Sequence, residues 1–181
     1  MMEDSSVVLG ISNLYIEEIL KSKKASNLMC VEENKKNKVT GFCGVYSSNT
    51  LPLQLIKEDQ FSFICNLSRL DQKGTHFVSV IVFADFYIYI DSLGLPCMNT
   101  DVRQYLSLLN RPNFTNLNQL QDFKSSFCGF FCILFILYFE GIRLNGKKMT
   151  ERIRFVWETN HDKLFLNDEK SIEYICKLLR M

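Results

Sequence analysis

Four residues of this chain have the side chains that nucleophilic attack on a carbonyl group requires, and in chain order they are His76, Asp91, Gln121 and Cys128. A cysteine thiolate attacks the carbonyl carbon, an imidazole exchanges protons with the thiol, and a carboxylate orients the imidazole. A glutamine amide can donate a hydrogen bond to the oxyanion that the attack creates. The set predicts acyl transfer through a cysteine nucleophile, provided that the fold brings the four side chains together.

Cys128 stands where a polar stretch, residues 122–126, gives way to an apolar run at residues 127–139. The run predicts a buried helix over residues 128–140. The thiol then lies at the helix N-terminus, where the positive end of the helix dipole favours the thiolate. Gly129, beside the thiol, would let a substrate backbone approach closely.

Alternatives stay open for the cysteines and glutamines around this helix. An isolated cysteine is more often a small core residue than a nucleophile, and a core residue is how we interpret Cys132, one turn after Cys128. Gln121 precedes Cys128 across a short loop, so its amide is predicted to point back at the thiol. Gln119 competes with Gln121 for the same role.

His76 and Asp91 lie at the open end of a predicted β-hairpin. Runs of β-branched and aromatic residues predict strands over residues 76–83 and 86–91, joined by a tight turn at Ala84-Asp85. A two-residue turn, or one that falls a residue earlier, places His76 and Asp91 on the same side, roughly 5–8 Å apart. A three-residue loop would send them to opposite faces, because side chains alternate along a strand.

The remaining pattern predicts an α+β domain. Both hairpin strands are apolar on each face, which is typical of inner strands of a mixed or antiparallel sheet with helices packed on it. The other predicted elements are a short helix capped by Ser12 or Asn13, extended segments at 39–46 and 61–67, a helix from a Thr100 cap to residue 109, a polar connection with a short strand within 114–122, an end of the central helix at Gly141, and helices at 150–158 and 168–179.

Length and composition predict one globular domain over residues 1–181, with 47% hydrophobic and 23% charged residues. A net charge of +1 argues against a dedicated nucleic-acid binder. Seven irregularly spaced cysteines without a CxxC pair, and two histidines, argue against a zinc site, and no cofactor is expected. Residues 1–18 lack a signal-peptide pattern and the run at 127–139 is too short to span a bilayer, so we expect reduced thiols and no membrane association.

The order and context of the four residues resemble the adenovirus-type (adenain-like) cysteine proteases and the wider SUMO/ubiquitin-like-protease superfamily. The similarity covers most of residues 41–140, and the compact length is closest to the small viral enzymes, including those of virophages and Maverick/Polinton elements. The matching stretches are Gly-Thr-His-Phe at 74–77, Tyr-Ile-Asp-Ser-Leu-Gly at 89–94, Gln121 followed by Cys-Gly-Phe-Phe-Cys at 128–132, and an early loop at 41–52.

The resemblance implies a papain-like cysteine peptidase fold and a role for each residue. His76 would be the base, Asp91 would orient it, Cys128 would be the nucleophile, and Gln121 with the Cys128 backbone N–H would form the oxyanion hole. Two positions depart from the family. Phe77 stands where it usually has Trp, which keeps an aromatic wall, and Asp91 replaces the Glu of the adenovirus enzyme while matching the cellular relatives.

The resemblance also implies a function. The expected activity is that of a viral endopeptidase that matures capsid or core precursors, cleaving Gly-Gly or Gly-X bonds after a bulky apolar residue. The enzyme would act as a monomer in the host cytoplasm, nucleus or viral factory and would be packaged in the virion. A deubiquitinating or deSUMOylating peptidase and a non-catalytic protein-binding module on the same fold stay open as alternatives.

Activation is expected to differ from that of the adenovirus enzyme, which uses a peptide tethered through a disulfide. The corresponding segment, residues 100–121, contains no cysteine, and Cys97 lies too early to match. We therefore expect either intrinsic activity or an activator peptide held non-covalently. The resemblance also raises weak DNA binding, for which the sequence offers the basic residues Arg143, Lys147, Lys148, Arg152 and Arg154.

Overall fold

The computed structural model describes residues 12–22, 41–145, 167–170, 172–173 and 176–177. The helices with continuous bounds are α1 (Asn13–Lys21), α2 (Thr100–Leu108) and α3 (Cys128–Asn145), and a short 3-10 helix covers Leu53–Lys57. The strands are β1 (Phe42–Ser47), β2 (Phe61–Asn66), β3 (Phe77–Val82), β4 (Tyr87–Ile90) and β5 (Asn113–Thr115). The described residues after position 166 are also helical.

The five strands form one mixed sheet in the order β1-β2-β3-β4-β5. The central pairs, β2 with β3 and β3 with β4, are antiparallel, whereas the outer pairs, β1 with β2 and β4 with β5, are parallel. The predicted α+β class with a mixed sheet and packed helices is confirmed. Both strands of the predicted hairpin, β3 and β4, are inner strands.

Helices cover both faces of the sheet, because the apolar side chains of its inner strands point alternately to either side. Ile64 and Ile81 belong to the core cluster that packs against α1 and α3. Phe63 and Val80, their strand neighbours, belong to the cluster that packs against α2. Every residue of β2 and β3 is buried, so these strands have no solvent-exposed face.

The β3–β4 hairpin has the two-residue turn that the sequence predicts. The Phe83 N–H donates to the Phe86 carbonyl at 2.8 Å, and the last paired residues are Ser79 and Ile90. In this register His76 and Asp91 lie beyond the ladder as diagonal neighbours on the same side. The turn length therefore decides that the two side chains can meet.

Two predicted helix ends are wrong. The N-cap of α2 is Asn99 and not Thr100, because the Asn99 Oδ1 accepts the Val102 N–H at 3.0 Å. The central helix α3 does not end at Gly141 but continues to Asn145. A glycine within a helix lowers the stability of the helix by only about 1 kcal/mol relative to alanine. Packing of the helix against its neighbours can outweigh this cost, so the helix continues through Gly141. For α1 the cap is Ser12, whose Oγ accepts the Tyr15 N–H at 3.2 Å.

Several predicted segments lie wholly or partly outside the described residues. The helix at 150–158 is outside them, as are Lys147, Lys148, Arg152 and Arg154. The helix at 168–179 is helical wherever it is described. The early extended segment is strand β1, and the short strand expected within 114–122 is β5, which begins one residue earlier. No helix in the described ranges is long and apolar enough to cross a membrane.

Candidate active site

His76 and Asp91 are in direct contact at the end of the hairpin. His76 Nε2 lies 2.8 Å from Asp91 Oδ1, and the side chains are 16% and 2% exposed. The chain reaches His76 from the β2–β3 connection, where the Leu67 N–H donates to the His76 carbonyl at 2.8 Å. The carboxylate therefore holds the imidazole through Nε2. The second ring nitrogen, Nδ1, can bond to another partner.

Hydrogen bonds hold Asp91 in place on every side. Its Oδ1 also accepts the Leu93 N–H at 2.8 Å, which closes a turn after β4. Asn116 pairs with its backbone, accepting the Asp91 N–H at 2.8 Å and donating to the Asp91 carbonyl at 2.6 Å. A carboxylate with these fixed bonds has one orientation, so it can hold the imidazole ring in one orientation as well.

Cys128 is the first residue of α3, and it is 7% exposed. The Phe127 carbonyl accepts the first bonds of the helix, from the N–H groups of Phe130 and Phe131 at 2.9 and 3.1 Å. The backbone N–H of Cys128 therefore belongs to the first turn, whose N–H groups have no acceptor within the helix. The thiol side chain is near enough to His76 to raise the pKa of the imidazole, so the structure brings these two side chains together.

The pKa of His76 is raised from 6.5 to about 9. Burial opposes a charge on the ring and is the largest single influence, but hydrogen bonds to Asp91 and Cys128, together with their negative charges, outweigh it. The ring is therefore an imidazolium at neutral pH. This positive charge lies beside Cys128, at the N-terminus of α3.

Gln121 lies in the loop that leads into α3 and is 2% exposed. The Ser92 hydroxyl donates to Gln121 Oε1 at 2.5 Å, and Gln121 Nε2 donates to the Ser125 carbonyl at 2.9 Å. These bonds fix the orientation of the amide and use one of its two N–H bonds. Gln119 instead donates through Nε2 to the Gln121 carbonyl at 2.8 Å, so it supports the loop.

The turn after Asp91 and the loop before Gln121 are in backbone contact. Gly94 has φ +70°, and a Cβ atom on it would lie 2.8 Å from the Gln119 nitrogen. The Ser92 carbonyl accepts the N–H groups of both Leu120 and Gln121, at 2.8 and 2.9 Å. Only glycine fits at position 94 without moving this loop, so the Asp-Ser-Leu-Gly stretch positions Gln121 as well as the carboxylate.

Sequence reasoning missed the residues that support these four. Ser92 was quoted only as part of the matching Asp-Ser-Leu-Gly stretch, and Asn116 and Ser125 were assigned no role. The Asp-Ser pair at the end of a strand could have indicated a supporting role for Ser92. Nothing in the local pattern indicates such a role for Asn116. Phe77 is 8% exposed and packs in the same core cluster as Cys128, so most of its ring faces the core.

The described residues contain no group of three or more histidine, cysteine, aspartate or glutamate side chains that could hold a metal ion. The chemistry that His76, Asp91 and Cys128 can perform together is nucleophilic, with a thiol beside an imidazole that a carboxylate orients.

Comparison with known proteins gives distant similarities in structure. No family model matches the sequence, and no curated protein matches it. Among solved structures, the chain is similar to the ASFV pS273R protease, with a TM-score of 0.47 and 15% identity over 78% of this chain. It is also similar to AvrA delL154 with IP6 and CoA, with a TM-score of 0.41 and 13% identity over 74% of this chain. The chain spans 60% and 63% of the lengths of these two proteins.

Proposed function

We propose that the protein is a cysteine endopeptidase with Cys128 as nucleophile, His76 as base and acid, Asp91 as the residue that orients His76, and Gln121 as an oxyanion donor. The observation that carries this proposal is the grouping of Cys128, His76 and Asp91. The thiol of Cys128 lies at a helix N-terminus beside the His76 imidazole, whose Nε2 lies 2.8 Å from Asp91 Oδ1. A structural cysteine has no need of a buried carboxylate oriented behind its histidine neighbour.

The first half of the proposed reaction acylates the enzyme. The Cys128 thiolate attacks the carbonyl carbon of the scissile peptide bond, and the carbonyl oxygen takes on negative charge. The Cys128 backbone N–H and the second N–H of the Gln121 amide stabilise this oxyanion. As the C–N bond breaks, the His76 imidazolium gives its proton to the leaving amine, and the acyl group remains on sulfur as a thioester.

The second half releases the acyl group. His76, now neutral, takes a proton from a water molecule that attacks the thioester carbonyl, and the same N–H groups stabilise the second oxyanion. The C–S bond breaks, a carboxylic acid leaves, and Cys128 and His76 return to the thiolate–imidazolium pair. Asp91 keeps its hydrogen bond to the ring throughout, because its role is to orient the ring and to stabilise its charge.

The proposal extends to a biological setting that rests on the resemblance of the sequence motifs. The substrates are capsid or core precursor polypeptides of a virus or related element, cut at Gly-Gly or Gly-X bonds during virion maturation. The enzyme acts as a monomer in the host cell or viral factory and is packaged in the virion. An activator, where one is used, is a non-covalently held peptide, and DNA binding is weak.

A thiol-labelling experiment tests the chemistry without knowledge of the substrate. The folded protein is treated with limiting iodoacetamide at about pH 6, where ordinary thiols are almost wholly protonated, and the alkylated peptides are identified by mass spectrometry. Cys176 is an internal control, since it is an exposed cysteine of the same chain. We expect Cys128 to react faster than Cys176 although it is the more buried of the two, and His76→Ala to remove that advantage.

Labelling of Cys176 before Cys128 would contradict the proposal and favour a non-catalytic module. The substrate class is tested separately, by co-expression with candidate capsid precursors and mass spectrometry of the new N-termini. A fluorogenic ubiquitin or SUMO conjugate is assayed beside a short Gly-Gly peptide. Preference for the conjugate would replace the maturation role by deubiquitinating or deSUMOylating activity.

A further inference from the structure

The loop that carries Gln121 is held from a second side by the C-terminal part of the chain. Asn167 is fully buried, and its Nδ2 donates to the Leu120 carbonyl at 3.1 Å. Leu120 is the residue directly before Gln121, and its N–H is bonded to the Ser92 carbonyl. The peptide unit that leads into Gln121 is thus held between the turn after β4 and a residue far away in sequence.

Asp168 contacts the other end of the same loop. Its side chain is 3% exposed, and the Ser125 hydroxyl and the Asp122 backbone N–H are near enough to lower the pKa of its carboxyl. Ser125 is the residue whose carbonyl accepts the Gln121 amide. Asp168 Oδ1 and Ser125 Oγ are both buried, and neither has a hydrogen-bond partner of good geometry in the described part of the chain. The carboxylate has therefore been buried against this loop at an energetic cost.

The pKa of Asp168 agrees with a buried position for its carboxyl. Burial raises the pKa of Asp168 to about 6, and the charges of Asp122 and Glu169 act in the same direction, while the Ser125 hydroxyl and the Asp122 N–H oppose the rise. The carboxyl is then mostly ionised at neutral pH, and the Ser125 hydroxyl and the Asp122 N–H are the groups that favour its charge. A buried carboxylate that keeps its charge needs such donors, so it holds the loop residues that supply them.

We propose that Asn167 and Asp168 are positioning residues that hold residues 120–125 in the conformation that presents the Gln121 amide to the oxyanion. This inference rests on the proposed function. It gives Asn167 and Asp168 a role in turnover, which they exert through the position of Gln121.

Two reactions of Cys128 separate this role from a general structural one. Alkylation by iodoacetamide displaces iodide from a saturated carbon, so it needs the thiolate but no oxyanion donor. Acylation by p-nitrophenyl acetate forms a thioester and releases p-nitrophenolate through a tetrahedral oxyanion, so it needs both. Asp168→Asn and Asn167→Ala are compared with Glu169→Gln, which changes an exposed acidic neighbour on the same segment, and with Cys128→Ala as the background for the other thiols.

We expect Asp168→Asn and Asn167→Ala to lower the acylation rate about 10-fold, less than the 10²–10³-fold lost when a whole oxyanion donor is removed. Their alkylation rates should stay within about twofold of the wild-type value, and Glu169→Gln should change neither rate. A parallel fall in both rates would show general destabilisation, and unchanged acylation would show no positioning role. Either result would overturn the inference.

Hydrogen exchange tests the contact independently of activity. Amides of residues 120–125 should exchange faster in Asp168→Asn and Asn167→Ala than in Glu169→Gln, while the amides of β3 keep their protection. Unchanged exchange at 120–125 would overturn the inference. Failure of the proposed function would look different, since wild-type Cys128 would then show neither rapid alkylation nor acylation above the Cys128→Ala background.

Discussion

Cys128 and Cys132 are one turn apart on the same helix, yet the two thiols have different surroundings. Cys128 is the first residue of α3 and contacts His76. Cys132 is fully buried, and burial raises its pKa well above the ordinary value although Ser79 opposes the rise. The first thiol has a positive charge and a helix N-terminus beside it, whereas the second is surrounded by apolar side chains. Reactivity is therefore a property of the position and not of the residue type.

The comparison also shows what each end of the first turn contributes. The Cys132 side chain fills core volume between α3 and the sheet, and its backbone N–H is part of the helical hydrogen-bonding pattern. Cys128 packs in the same cluster but keeps a small exposed fraction of 7% and a backbone N–H outside the helical bonding pattern. A single apolar helix thus supplies both a core and an anion-binding end.

Exchanging each cysteine for alanine gives the largest expected contrast. Cys128→Ala should abolish hydrolysis of a Gly-Gly peptide and leave the fold intact, because alanine is accepted at a helix start. Cys132→Ala should keep most of the activity. It should lower the free energy of unfolding by about 1 kcal/mol, which is the usual cost of deleting one buried side-chain atom. Activity assays and urea denaturation check both, and the reverse pattern would show that the nucleophile is misassigned.

Removing the charge beside Cys128 should make it resemble an ordinary thiol. His76→Ala should lower turnover by at least about 10³-fold, since it removes the base and the partner of the thiolate. Asp91→Asn should cost less, because the ring remains and loses only its orientation and charge stabilisation. Steady-state kinetics on folded variants measure the two. Equal and complete loss would mean that Asp91 takes a direct chemical part.

Gln121→Ala tests the oxyanion donor separately from the thiol. We expect turnover to fall by roughly one to three decades with little change in substrate binding, the usual scale for one lost donor. Alkylation of Cys128 should be unaffected, because that reaction forms no oxyanion. Gln119→Ala is the matched control, since the Gln119 amide donates to the backbone carbonyl of Gln121. A larger effect for Gln119→Ala than for Gln121→Ala would reassign the role.

His76 also makes the stability of the protein dependent on pH. Its pKa in the folded protein is about 9, above the ordinary 6.5, so the folded state binds more protons between these values. The stabilisation is therefore complete below about pH 6.5 and is lost as the pH rises through 9. It amounts to no more than about 3 kcal/mol. The difference in unfolding free energy between wild type and His76→Gln should shrink over this window, and a constant difference would contradict the pKa.

Much of the fold was predictable because it depends on local patterns. The β-branched runs predicted β3 and β4 as inner strands, and the apolar run from residue 127 predicted where α3 begins. The helix ends were less predictable, because Asn99 replaced Thr100 as a cap and α3 passed through Gly141. Such ends depend on which neighbouring side chain reaches an unbonded N–H group. A difference of one or two residues, less than one helical turn, changes which side chain that is.

The sequence by itself determined the four candidate residues, their order and the elements that carry them, because residue type, spacing and hydrophobic period are local properties. The tertiary structure alone decided how those residues are held. Of the turns that the sequence allowed, the two-residue turn brought His76 to Asp91. The approach of Gly94 to residues 118–119 brought the Gln121 loop to Ser92, and the docking of Asn167 gave that loop its second support. These contacts join residues far apart in sequence, and no local pattern records which partner a buried polar group finds.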